Sequence, residues 1–137
     1  MDAHVVDGPG QVLDEAKLIV TATTSREPVL PEKVPGDAFI AAIGSFQPEA
    51  AELSASLVST SSVVVDTLDG AREEAGDLIR AEKAGAFGWE RAISLEQALS
   101  RSKPPDGPII FKSVGDALWD LAAARTAFGP RGDPDEK

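Results

Sequence analysis

Pro108-Ile109-Ile110-Phe111-Lys112-Ser113-Val114-Gly115, followed by Asp116-Ala117-Leu118-Trp119-Asp120-Leu121-Ala122-Ala123-Ala124-Arg125, decides the fold of this chain. An apolar run rich in β-branched residues ends in a small hydroxyl residue. A glycine follows, and then a helical pattern. This is a strand-to-helix switch of the kind that lines a ligand crevice at the carboxyl edge of an open α/β sheet. It predicts a strand near 108–112 and a helix over 114–128. Val114, Leu118, Leu121 and Phe128 should form one apolar stripe on that helix.

The same switch occurs upstream. Leu18-Ile19-Val20-Thr21-Ala22-Thr23 predicts a strand over 18–23 that suits burial on both faces of a parallel sheet. Pro28 and Pro31 then block regular structure. Ala38-Phe39-Ile40-Ala41-Ala42-Ile43 predicts a second strand, closed by Gly44. A helix near 49–59 should carry Leu53 and Leu57 on one face, with Pro48 in its first turn. Val63-Val64-Val65 predicts a third strand ending at Asp66. A helix through Ala71–Ala75 should meet a weak point at Gly76. Residues 11–16 and Leu95–Leu99 read as short helices, the latter capped by Ser94. Strands alternating with helices specify a parallel α/β sheet.

Composition narrows the function. The chain has 137 residues, enough for one domain, and a formal net charge of −10. An acidic surface argues against nucleic acid and against anionic membrane as partners. Without cysteine there is no thiolate metal site, disulfide or cysteine nucleophile, and one histidine, His4, supplies no multi-histidine site. No metal is expected. No signal peptide or membrane-length apolar run is visible, so a cytoplasmic protein is the default expectation.

Three strand ends are candidate ligand contacts. Thr21, Ala22 and Thr23 leave room for a flat ring or ribose and offer hydroxyls. Strand propensity plus a turn would place the same residues there. Gly44, Ser45 and Phe46 form the second group, where a glycine lets backbone approach a ligand or simply makes a turn. Ser113 and Gly115 form the third, with Ser113 as a helix cap or a ligand contact. In a parallel sheet all carboxyl ends share one edge, so the three groups support one another. Gly8-Pro9-Gly10 is not a dinucleotide fingerprint, because the third glycine is missing. Glu73, Glu74 and Asp77 read as a solvated helix face, Trp89 and Trp119 as packing anchors, and Arg131-Gly132-Asp133 as a coincidence in a charged tail.

Ile19-Val20-Thr21-Ala22-Thr23-Thr24-Ser25-Arg26-Glu27-Pro28-Val29 resembles a segment of the ornithine cyclodeaminase/mu-crystallin family. So do Ile43-Gly44-Ser45-Phe46-Gln47-Pro48 with Ala51-Glu52-Leu53, Glu74-Ala75-Gly76-Asp77-Leu78-Ile79, and Phe111-Lys112-Ser113-Val114-Gly115 with Asp120-Leu121-Ala122-Ala123-Ala124. The motifs run in order over about residues 14–128. Within the family the chain looks most like the bacterial ketimine reductases. The resemblance implies reduction of Δ1-pyrroline-2-carboxylate and Δ1-piperideine-2-carboxylate to proline and pipecolate with NADPH or NADH, in a homodimer. It makes Thr21, Ala22, Thr23, Gly44, Ser45, Phe46, Ser113 and Gly115 cofactor contacts, and it assigns no general acid here. Cyclodeaminases carry a catalytic aspartate after the second strand's glycine. The matching position is Phe46, which cannot exchange a proton, so imine reduction is favoured over ornithine deamination.

Family members run to more than twice this length, and their glycine-rich phosphate loop and substrate-binding basic residues have no counterpart here. The expected fold is therefore a partial Rossmann-like parallel sheet with flanking helices: the C-terminal half of a cofactor domain over 1–128, closed by a long C-terminal helix, with a disordered tail over 129–137. The competing expectations are a truncated non-catalytic product and a small-ligand binding protein of the mu-crystallin type.

Overall fold

The computed structural model describes residues 3–129. The expected tail, including Arg131-Gly132-Asp133, lies outside the described residues apart from Gly129. Strands β1 (Leu18–Thr21), β2 (Phe39–Ala42), β3 (Ser62–Val65), β4 (Ile93–Ser94) and β5 (Ile109–Lys112) form one sheet. Its order is β1-β2-β5-β3-β4 and every pairing is parallel. The helices are α1 (Ala55–Thr60), α2 (Leu68–Glu74), α3 (Gly76–Lys83), α4 (Leu95–Leu99) and α5 (Ala117–Phe128). No described helix is long and apolar enough to cross a membrane.

Strand register explains the core. Ile19, Ile40, Ile110 and Val63 pair across the sheet as one row; Thr21, Ala42, Lys112 and Val65 form the next row on the same face. Leu57 and Val58 of α1, Ala71 of α2, and Leu78 and Ala81 of α3 cover that face and complete the buried cluster. Side chains two residues apart along a strand share a face, so one register fixes both rows.

The opposite face differs from expectation. β1 and β2 do not read as strands buried on both sides: Leu18, Val20 and Phe39 are exposed. Only β3 is close to full burial, because α4 packs over that end of the sheet. Nor does α5 close the domain. It buries no residue, and Leu121 and Phe128 are 54% and 89% exposed. Its apolar residues lie all round the helix, as in a helix meant to be surrounded. Trp119 is likewise exposed, whereas Trp89 does anchor packing, edge-on to Phe87 and under the Arg72 guanidinium.

Three local differences have simple causes. Leu53 is buried but precedes α1, which begins only after Ser54 accepts the Leu57 N–H as its cap. β4 is two residues long and gives no periodic signal. At Gly76 the helical stretch breaks into α2 and α3, and the glycine opens α3. A Cβ there would lie 2.0 Å from the Ala50 carbonyl oxygen, so only glycine permits this approach.

Ile110→Ala, at the fully buried centre of the sheet, should cost about 2–5 kcal/mol, read from urea unfolding. Leu121→Ala on the uncovered α5 should change stability by no more than about 0.5 kcal/mol. Equal losses would place α5 in the core.

Candidate functional site

The carboxyl ends of β1, β2 and β5 are adjacent and point the same way. Thr21–Thr23, Gly44–Phe46 and Ser113–Gly115 therefore lie along one edge of the sheet. Two carboxylates organise that edge from beneath.

Glu52 is the first. Its Oε1 accepts from the Thr23 N–H at 2.6 Å and the Thr23 hydroxyl at 2.8 Å. Its Oε2 accepts from the Thr21 hydroxyl at 2.9 Å and from the Gly44 and Ser45 N–H groups at 2.9 and 3.3 Å. Gly44 is required by this approach, because a Cβ would sit 2.2 Å from the Thr23 nitrogen. Burial pushes the Glu52 carboxyl pKa up, but the Thr23 N–H and hydroxyl, with Thr21 and Gly44, outweigh it and hold it below the ordinary glutamate value.

Asp66, at the end of β3, is the second. Its Oδ2 accepts from the Ser113 hydroxyl at 2.8 Å and from the Val114 and Gly115 N–H groups at 3.0 and 2.9 Å. Its Oδ1 accepts from the Thr67 N–H at 2.8 Å. Ser113 thus binds Asp66 rather than capping α5, whose cap is Asp116.

A buried ion pair supports the whole edge. Lys112 Nζ lies 3.0 Å from Asp77 Oδ2, both side chains are 0% exposed, and the ammonium also donates to the Ser45 carbonyl. Asp77 Oδ1 accepts the N–H groups of Glu52 and Leu53. Lys112 is the one partner of Asp77 Oδ2 among the described residues. Asp77 is therefore no part of a solvated face, although Glu73 and Glu74 are exposed as expected. The sequence offered only an acidic residue in the first turn of a helix, which does not tell a buried carboxylate from an exposed one.

The strand-end residues divide into two roles. Thr21 and Ser45 are buried structural donors. Ala22, Thr23, Phe46 and Gly115 are exposed at the edge, with Phe46 55% exposed. A cavity of about 290 Å³ opens between β1 and β2, lined by Thr24, Arg26, Gly44, Phe46, Gln47 and Ala50. A larger cavity of about 590 Å³ includes Ser62, which begins β3, and Asp106, ahead of β5. It thus lies at the amino edge, the wrong end of a parallel sheet for a ligand crevice.

Because its folded pKa is depressed, Glu52 contributes stability above the ordinary glutamate pKa of about 4.3. That contribution is lost as pH falls through the lower folded value. Urea midpoints taken from about pH 7 to about pH 3 should fall more steeply for the wild type than for Glu52→Gln. Parallel curves would remove this linkage. Lys112→Met should cost about 3–5 kcal/mol by leaving Asp77 charged and unpartnered. Adding Asp77→Asn should recover part of that loss, since asparagine still accepts the two N–H groups without a charge. A double variant no more stable than Lys112→Met would count against the pairing.

The comparisons with known proteins agree with one another. The model of the ornithine cyclodeaminase/mu-crystallin family matches residues 1–129. The Delta(1)-pyrroline-2-carboxylate/Delta(1)-piperideine-2-carboxylate reductase of Azospirillum brasilense is 45% identical over 114 residues, covering 83% of this chain and 35% of that protein. Delta(1)-pyrroline-2-carboxylate reductase 2 of Burkholderia ambifaria matches with the same identity and coverage. The structure of Thermococcus litoralis Delta(1)-pyrroline-2-carboxylate reductase in complex with NADH and L-proline superposes with a TM-score of 0.82 at 28% identity, covering 89% of this chain and 40% of that one. The chain thus spans about a third of the length of these curated relatives. From its family match and its parallel sheet, this chain belongs to the ornithine cyclodeaminase/mu-crystallin family.

Proposed function

We propose that this chain is the carboxyl-terminal cofactor-domain portion of an NAD(P)H-dependent reductase of cyclic 2-imino carboxylates, Δ1-pyrroline-2-carboxylate and Δ1-piperideine-2-carboxylate. The observation that carries the reading is the state of the strand-end N–H groups. Those of Thr23, Gly44 and Ser45 are held by Glu52, and those of Val114 and Gly115 by Asp66. A pyrophosphate needs free backbone N–H groups, so this edge does not fit that part of a dinucleotide. It fits the nicotinamide end, which is flat and needs shape more than anion-binding donors. Ala22 and Thr23 would line one side, Phe46 would wall the reacting end, and Ser113 and Gly115 would close the pocket.

A bound dihydronicotinamide would supply the hydride for the imine carbon, and the nitrogen would take one proton, from water or from an acid outside these residues, to become the amine. The residues here position and enclose the reacting ring. Glu52 and Asp66 fix the loops by hydrogen bonds made within the chain. Phe46, an apolar wall, excludes water from the hydride path and takes no proton. Support for the substrate class comes from what the relatives are named to reduce. A homodimer is part of the same proposal.

The test is reduction of each cyclic imine with NADPH or NADH, followed by nicotinamide absorbance. The chain alone should show no turnover. Mixed with the part of the Azospirillum brasilense relative outside the matched segment, it should regain activity where the two pieces dock. Turnover by the 137 residues alone would make them a minimal reductase. Failure of a covalently joined, folded version on both imines would sink the assignment.

A further inference from the structure

The edge described above has no free N–H groups for an anion at Thr23, Gly44, Ser45, Val114 or Gly115, because internal carboxylates occupy them. A negatively charged ligand group entering between β1 and β2 finds none of these five donors free, which gives weight to the side chains that line the entry. Two cations stand at those strand ends. Lys112 is sealed, fully buried against Asp77 and the Ser45 carbonyl. Arg26 is exposed and lines the cavity of about 290 Å³. It has no carboxylate partner among the described residues, because the adjacent Glu27 is taken by Arg80 at 3.6 Å. Arg80 itself is engaged twice, by Glu27 and by the Glu49 carbonyl, to which it donates.

The cavity's other walls suit a flat ring. Phe46 offers an exposed aromatic surface, Gly44 has no side chain, and Thr24 and Gln47 supply a hydroxyl and an amide. Its volume is at the small end of ligand pockets, which run upward from about 300 Å³. That matches a ring with one charged substituent better than a whole dinucleotide.

We propose that this cavity is a ring-and-oxyanion subsite, in which the Arg26 guanidinium receives the phosphate or carboxylate of a small ring-bearing ligand. The proposal rests on reading this edge as the ligand crevice, and it adds the residue that recognises charge there. Guanidinium suits the task because its planar fork matches either oxyanion with two parallel hydrogen bonds. The chain's net charge of −10 opposes anions at long range, so recognition must come from this local contact.

The experiment is a titration of the isotopically labelled full chain, followed through backbone amide signals. Nicotinamide mononucleotide presents a phosphate, pyrrole-2-carboxylate presents a ring carboxylate, and nicotinamide is the uncharged control. One or both anions should shift the Gly44, Phe46 and Gln47 amides saturably. Arg26→Gln should weaken that binding by roughly tenfold or more. Arg26→Lys should retain part of it, and Arg101→Gln, in the lining of the larger cavity at the amino edge, should leave it unchanged. A response to the mononucleotide alone assigns the phosphate; a response to pyrrole-2-carboxylate alone assigns the carboxylate. Absence of saturable shifts at these amides for both anions, or binding unaltered in Arg26→Gln, would overturn the proposal. Turnover is not read, so a failed reductase assay beside Arg26-dependent binding would remove the reductase assignment and leave the subsite.

Discussion

One buried ammonium holds the carboxyl edge of this sheet together. Lys112 extends from the last strand beneath the edge and meets Asp77 and the Ser45 carbonyl with no solvent contact. Taking a lysine out of water is expensive unless charge and hydrogen bonds compensate. Both are supplied here by elements distant in sequence: the loop after β2 and the first turn of α3. Asp77 in turn binds the backbone at Glu52 and Leu53, which sets where the Glu52 carboxylate stands. Glu52 then fixes the ends of β1 and β2. The chain of contacts runs from β5 to β1 through side chains, across a distance the backbone ladder alone would not control in the loops.

Such a network gives rigidity by consuming donors. A phosphate-binding strand end leaves its N–H groups free for the ligand. Here carboxylates of the protein stand where a ligand anion would stand elsewhere. Glu52 is held ionised by its donors, so the arrangement is stable well below neutral pH. The consequence is a crevice with a preset shape and few free backbone donors. That suits an uncharged ring or a cationic group at the strand ends, and it confines anion recognition to exposed side chains.

Much of the architecture was legible in the sequence. The four principal strands and α5 follow from short β-branched runs and from the pattern after Gly115. Their common edge follows from parallel pairing alone. The polar framework was not legible. Asp77 follows Glu73 and Glu74 in a charged run, and nothing local separates the buried carboxylate from its exposed neighbours. Lys112 stands in a strand where alternation gives its face, but only the sheet order shows which partners await it. Glu52 lies 29 and 31 residues from its threonine donors, beyond any periodic signal. The stripe foreseen on α5 misled for a different reason. Apolar residues lie all round that helix, so the few picked out at helical spacing mark no single side for burial, and spacing does not say whether the cover lies within these residues.

The uncovered surfaces bear on the crevice itself. β1 pairs with β2 on one side only among the described residues, so its other side presents unpaired N–H and C=O groups. Leu18 and Val20 expose apolar side chains on the face that α1–α3 leave open. A parallel sheet ordinarily has both faces covered, and the relatives carry about twice as much additional polypeptide as the part matched here. A strand added beside β1 in the parallel sense would bring its own carboxyl end next to Thr23 and Arg26. Any free N–H groups in the loop after that strand would then face the cavity from the side opposite Phe46. The crevice would gain an anion cradle on one wall while keeping its ring-binding wall unchanged. The internal carboxylates favour that division of labour, since Glu52 and Asp66 already engage the N–H groups at the strand ends they hold.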